Sequence, residues 1–104
     1  MITEIRLNSN SAESTAAFWS AIFNVPAEEL GDGRWRITPA VGPAVAVSTS
    51  RVWETISRYI DLTVAVDAGA PDRLRELGFE VAHDGSQAVD TNGTDATVFL
   101  MQAP

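Results

Sequence analysis

Glu4-Ile5-Arg6-Leu7-Asn8 and Tyr59-Ile60-Asp61-Leu62-Thr63 share one register, and reading them together decides the fold. Each stretch puts Ile and Leu on one face of a strand and larger polar or aromatic side chains on the other, the alternation of a half-buried strand. Each is followed by a capped helical segment, then by short strands between Gly and Pro turns. The chain therefore reads as one β-α-β-β-β unit written twice. Such units, joined by short turns, favour helices packed on one side of a sheet and leave a concave face free on the other. The expected fold class is α+β, two βαβββ modules making a curved, cup-shaped mixed sheet with helices on its outer face.

Outward from the first strand, residues 2–8 alternate, and Ser9, Asn10 and Ser11 offer N-caps, Asn10 with Glu13 as a capping box. Thr15, Trp19, Ile22 and Phe23 recur at helical spacing over residues 12–23, and Phe18 widens that stripe. Asn24 and Pro26 end the helix. Residues 28–30 read as a short edge strand, Gly31-Asp32-Gly33 as a turn, and residues 34–38 and 44–48 as strands. Residues 49–58 read as the linker between modules. Beyond it lie a strand from Tyr59 to Val66 and a short helix with Pro71 at its first turn and Gly78 past its end. Leu74 and Leu77 are expected to face the core. Residues 79–83 and 87–90 are expected strands joined by the Asp84-Gly85 turn. A polar loop at residues 91–95 precedes the last strand, residues 97–102.

The bulk numbers narrow the function classes. A chain of 104 residues is expected to make one domain, with module one at about 1–50 and module two at about 59–104. Fourteen acidic residues against seven basic give a net charge of -7, which disfavours nucleic acid and anionic membrane surfaces as partners. The absence of cysteine removes disulfides, thiolate nucleophiles and Cys-based zinc sites. The apolar runs are too short to span a bilayer, and residues 1–4 lack the pattern of a signal peptide. The expected location is the cytoplasm.

The order and spacing of several stretches resemble the glyoxalase/bleomycin-resistance/dioxygenase group, the vicinal oxygen chelate superfamily, and in particular its small stand-alone glyoxalase-like proteins. The match is carried by Leu7-Asn8 and residues 14–23, with Ala17-Phe18-Trp19 before Ala21-Ile22-Phe23. In the second half it is carried by residues 58–64, by Leu74-Arg75-Glu76-Leu77-Gly78-Phe79, and by Asp90 to Thr94 with Asn92-Gly93. It spans nearly the whole chain. The resemblance implies two modules cupping a ligand and, in the enzymes of the family, a divalent metal held by His, Gln or Glu. Carried across position by position, the first-strand ligand falls on Glu4 and the fifth-strand ligand on Tyr59. The fourth-strand ligand falls near Val47 or Ser48, and the last-strand ligand on Phe99. One usual ligand in four does not make a divalent site, which needs about three protein ligands. No metal and no other cofactor is therefore expected. Glu4 is the one weak candidate for a catalytic group.

By strand parity Glu4, Arg6 and Asn8 share the cup face with Tyr59, Asp61 and Thr63, with Phe99 and Met101 opposite. The functional reading is a pocket for a small organic ligand with an aromatic floor and a few orienting polar groups. The plainer reading is that Arg6 neutralises Glu4 or Asp61 while Tyr59 and Phe99 fill space. Trp35, between Arg34 and Arg36, is either a stacking platform whose arginines recruit an anionic ligand or a core residue with solvated neighbours. Trp53 suits a subunit interface. His83 has no nucleophile beside it in sequence and reads as a surface turn residue. The expected function is a metal-independent small-molecule-binding or sequestering protein, homodimeric as members of the resembled family usually are. Its ligand-binding residues would be Glu4, Arg6, Trp35, Tyr59, Asp61, Phe99 and Met101. The alternatives are a metal-dependent lyase, isomerase or dioxygenase of the same superfamily, and a ligand-free interaction module.

Overall fold

The computed structural model describes residues 1–58 and 60–102. Its first half runs β1 (Glu4–Ser9), α1 (Ala12–Phe23), β2 (Ala27–Gly31), β3 (Arg34–Ile37) and β4 (Ala44–Thr49). A 3-10 turn at Trp53–Thr55 interrupts the linker. The second half repeats the plan with β5 (Asp61–Val66), α2 (Ala70–Glu76), β6 (Glu80–Val81), β7 (Gln87–Val89) and β8 (Thr97–Gln102). The duplication read from the sequence is thus an α+β fold of two βαβββ modules. The strands form two mixed sheets of identical order, β1-β4-β3-β2 and β5-β8-β7-β6. In each, the first strand runs parallel to the last and the remaining neighbours are antiparallel.

Local chemistry explains the boundaries. The α1 N-cap is Ser11, whose hydroxyl accepts from Ser14 N, and the expected Asn10–Glu13 capping box does not form. Ser11 has the extended backbone that a cap requires, and Ser11 N is itself tied to Ser9 Oγ. Asn24 ends α1 in the left-handed conformation at φ 54 and donates its N–H back to Ser20 O. Leu77, expected in the core, is 55% exposed, because α2 stops at Glu76 and Leu77 is its C-cap; Leu74 alone is buried. The strand expected over residues 79–83 shrinks to Glu80–Val81, since the Asp84-Gly85 turn begins early: Gly85 N donates to Ala82 O. The expected start of β5 at Tyr59 lies outside the described residues, and the strand begins at Asp61.

One core runs through both halves. Leu7, Val45, Val47 and Ile37 from the first sheet and Val66, Val98 and Leu100 from the second meet Phe18, Trp19 and Ile22 of α1 and Leu74 of α2. The helices clasp each other as well. Arg73 on α2 donates from Nε to Ala21 O of α1 at 2.8 Å while its Nη2 pairs with Asp67 Oδ1 at 2.7 Å. The hydrogen bond from Arg73 holds the Asp67 carboxyl below its ordinary range. Because the folded value is depressed, the stabilisation is complete above the ordinary carboxylate range and disappears as pH falls through the folded value. A carbon-detected NMR titration is expected to show the low Asp67 midpoint. Arg73→Gln is expected to return it to the ordinary range; an unchanged midpoint would mean the pair does not persist in solution.

Candidate functional site

Each sheet turns one face to the helices and one away from them, and strand parity sorts the side chains. On β1, Ile5, Leu7 and Ser9 point to the core, so Glu4, Arg6 and Asn8 occupy the open face. Ladder pairing carries that face sideways: Arg6 lies beside Ala46, and Ala46 beside Arg36, while Ser48 has Asn8 on one side and Arg34 on the other. On the second sheet Asp61 pairs with Thr97, Thr63 with Phe99 and Ala65 with Met101, and Gln87 flanks Phe99 from β7. Phe99 is 37% exposed and Met101 59%. Both are apolar side chains that no helix covers.

Glu4, Arg6, Asp61, Phe99 and Met101 therefore all lie on open faces, as strand parity requires. Trp35 does not. It pairs with buried Val47 and packs on the core with Ile37, because its flanking arginines take the alternate positions that point outward. Of the two readings of Trp35, a core residue between outward-pointing arginines fits this packing, although the half-buried residue also contributes to the lining of the hollow on the first open face. Tyr59 lies outside the described residues. Trp53 is exposed, with the Arg58 guanidinium 3.8 Å from its ring centroid. His83 is exposed, and its backbone carbonyl accepts from Arg75.

The first open face contains a hollow of about 130 Å³ floored by Ala46 and Ser48 and walled by Glu4, Arg6, Arg34 and Arg36, with Leu30, Trp35 and Val47 completing its lining. The Glu4 carboxylate accepts from Arg6 Nε at 3.1 Å and sits 3.6 Å from Arg36 Nη2. Arg6 thus pairs with Glu4, not with Asp61. The linker closes one end of this face. Ser57 N donates to Asn8 O, Asn8 N to Ser57 Oγ, and Asn8 Nδ2 to Thr55 O, which holds the linker against the free edge of β1. No residue pattern in the linker announced this contact; it depends on where the chain returns. On the second sheet Asp61 and Thr97, with Arg58 and Asp95 beside them, line a wider hollow of about 360 Å³.

Solved structures of the same shape accompany this geometry. An oxidase described as ChaP-H2 superposes with a TM-score of 0.70 at 16% identity, over 100% of this chain and 94% of that one. A glyoxalase/bleomycin resistance protein from Albidiferax ferrireducens T118 superposes at 0.67 with 12% identity, over 99% of each chain. A possible glyoxalase from Bacillus cereus gives 0.67 at 14% identity, over 97% of each. This is the vicinal oxygen chelate fold. No protein-family model and no curated protein matches the sequence.

A divalent metal needs donors, and the positions that the sequence resemblance assigns to its ligands supply few here. Glu4 is engaged by two arginines, Val47 is buried on the helix side, Ser48 offers a hydroxyl, and Phe99 offers no donor. Among the described residues no three His, Cys, Asp or Glu side chains are grouped so as to hold a metal ion. The donor set does not fit a divalent cation, which prefers three or four His, Cys or carboxylate ligands. Among the described residues no helix is long and apolar enough to cross a membrane.

Proposed function

We propose that this protein binds or sequesters a small organic molecule on its open faces without a metal ion, as a homodimer in the cytoplasm. One observation carries the reading: the positions where the fold's enzymes place chelating side chains here present Phe99, Ser48 and an arginine-bound Glu4 beside exposed Met101. An apolar floor with a few fixed polar groups is the usual composition of a ligand pocket. The same exposed Phe99 and Met101 support a second copy or a ligand as their cover, since contiguous exposed apolar side chains mark interaction surfaces.

The enzyme reading differs in its metal. Purified protein, analysed by inductively coupled plasma mass spectrometry, is expected to hold far less than one equivalent of Zn, Ni, Fe or Mn. Stoichiometric metal would replace the proposal by the lyase, isomerase or dioxygenase alternative, with Glu4 as a ligand or base. Binding itself is tested by a thermal-shift screen of small organic molecules. A ligand at about 100 times its dissociation constant stabilises by about 2.7 kcal/mol, and Phe99→Ser is expected to abolish that shift. A screen without hits, on a monomer by light scattering, would leave the interaction module as the better account.

A further inference from the structure

We propose that the hollow on the first open face is an oxyanion seat, so that the ligand carries a carboxylate, phosphate or sulfonate head. The inference rests on the binding function proposed above and narrows its ligand class. All seven basic residues are arginines, in a chain of net charge -7. Three of the seven, Arg6, Arg34 and Arg36, surround this single hollow of about 130 Å³, a space for a head group and not for a whole ligand.

The floor makes the seat. Ala46 stands between Arg6 and Arg36 in the ladder, and Ser48 stands beside Arg34. Neighbouring strands lie about 4.8 Å apart, so Arg6 and Arg36 are rooted roughly 10 Å from each other. The methyl group of Ala46 leaves the space between them open, where a longer side chain would fill it. Two carboxylates face the same arginines. Glu4 braces Arg6 through Nε and approaches one Nη of Arg36, which leaves the remaining donors of both forks unused by it. Glu28 is the β2 neighbour of Arg36, and among the described residues it makes no ion pair with it. Arg34 forms no ion pair among the described residues. Three guanidiniums against two carboxylates leave one positive charge over, and a planar fork with free N–H groups matches an oxyanion in geometry as well as charge.

The test uses the whole protein, labelled with nitrogen-15, and three probes: benzoate, its neutral isostere benzamide, and inorganic phosphate. Benzoate and phosphate are each expected to shift the backbone amides of Ala46 and Ser48 and the Nε–H signals of the three arginines. Benzamide is expected to act there at least about tenfold more weakly, the loss expected for one charge-assisted hydrogen bond. Arg34→Gln is expected to weaken benzoate by a similar factor. Ala46→Leu, which keeps every arginine and fills the floor, is expected to abolish the shifts while the rest of the spectrum stays folded. Benzoate binding markedly tighter than phosphate assigns the seat to an organic acid; the reverse order assigns it to free phosphate, and either supports an oxyanion seat. Equal effects of benzoate and benzamide, or shifts that bypass these residues, overturn it. The two proposals fail separately. Benzamide and benzoate bound equally at Phe99 and Met101, with neither shifting the arginine signals, removes the seat and keeps the binder. Phosphate shifts at the arginines, with no organic molecule bound on either open face, keep the seat and remove the binder.

Discussion

Gly93→Ala is expected to destabilise the protein by about 3 kcal/mol or more, the largest loss from adding a single carbon. The reason lies in a chain of hydrogen bonds that ties the start of α1 to the loop before β8. Ser11 N donates to Ser9 Oγ at 3.0 Å, and Ser9 Oγ lies 2.6 Å from Thr15 Oγ1. Thr15 Oγ1 donates to Asp90 Oδ2 at 2.5 Å, which also accepts from Thr94 N and Thr94 Oγ1 at 3.1 Å. Asp90 is 1% exposed, and Ser9, Thr15 and Thr94 are equally enclosed. Gly93 lies directly on this network, with its carbonyl accepting from Asn10 N. A Cβ there would overlap Thr15 Oγ1, Ser9 Oγ and Asp90 Oδ2 together. Two penalties follow: overpacking costs about 1–3 kcal/mol, and each buried donor or acceptor left unsatisfied costs about a further 1–3 kcal/mol. For a domain of this size each kcal/mol lowers Tm by about 4–8 °C, so thermal unfolding is expected to fall by on the order of 15 °C. A Tm within about 2 °C of wild type would show that the loop yields freely. Asp90→Ala should be comparably damaging, since it strands two buried hydroxyls and an amide. Asp90→Asn should cost less, because it keeps an oxygen acceptor for these donors, and Oδ1 makes no hydrogen bond among the described residues that the change would break.

The second large effect is expected at Phe18. Its ring is fully buried and meets Phe79 edge-on at 5.1 Å and Trp19 at 5.8 Å. Phe79 follows Gly78, whose φ of 86 turns the chain out of α2, so the aromatic pair fastens the first module's helix to the second module's. Truncation to alanine removes most of a large side chain from a packed interior, and such changes cost about 3–5 kcal/mol. Phe18→Leu keeps most of the volume and is expected to cost under about 1.5 kcal/mol. Urea unfolding followed by tryptophan fluorescence reads this directly, with Trp19 as reporter at the contact. A Phe18→Ala loss below about 1 kcal/mol would mean that the modules close over the gap.

Much of the architecture is legible in the sequence. Ile5 and Leu7, like Leu62 and Val64, alternate with polar residues, and a period of two leaves a strand one way to face its core. The bounds of α1 followed from Asn24 and Pro26 at one end and a serine run at the other. The choice among Ser9, Asn10 and Ser11 did not follow, because any of them can cap a helix; what decided it was the diversion of Ser9 to Thr15. The side taken by Trp35 stayed open for a related reason. Alternation sets it apart from Arg34 and Arg36, but which of the two sets faces the helices depends on the ladder with β4.

From the sequence alone came the repeat, the order of its elements, the face on which Glu4, Arg6, Asp61, Phe99 and Met101 lie, and the poverty of chelating side chains. Those are properties of short-range periodicity and residue chemistry, and a linear chain displays them. Only the tertiary structure brought Arg34 and Arg36 alongside Arg6 over Ala46, laid Ser57 against the edge of β1, and buried Asp90 under Thr15. Each of these joins residues far apart in sequence through strand register or chain return, and register is set by the sum of all core contacts, not by any local pattern.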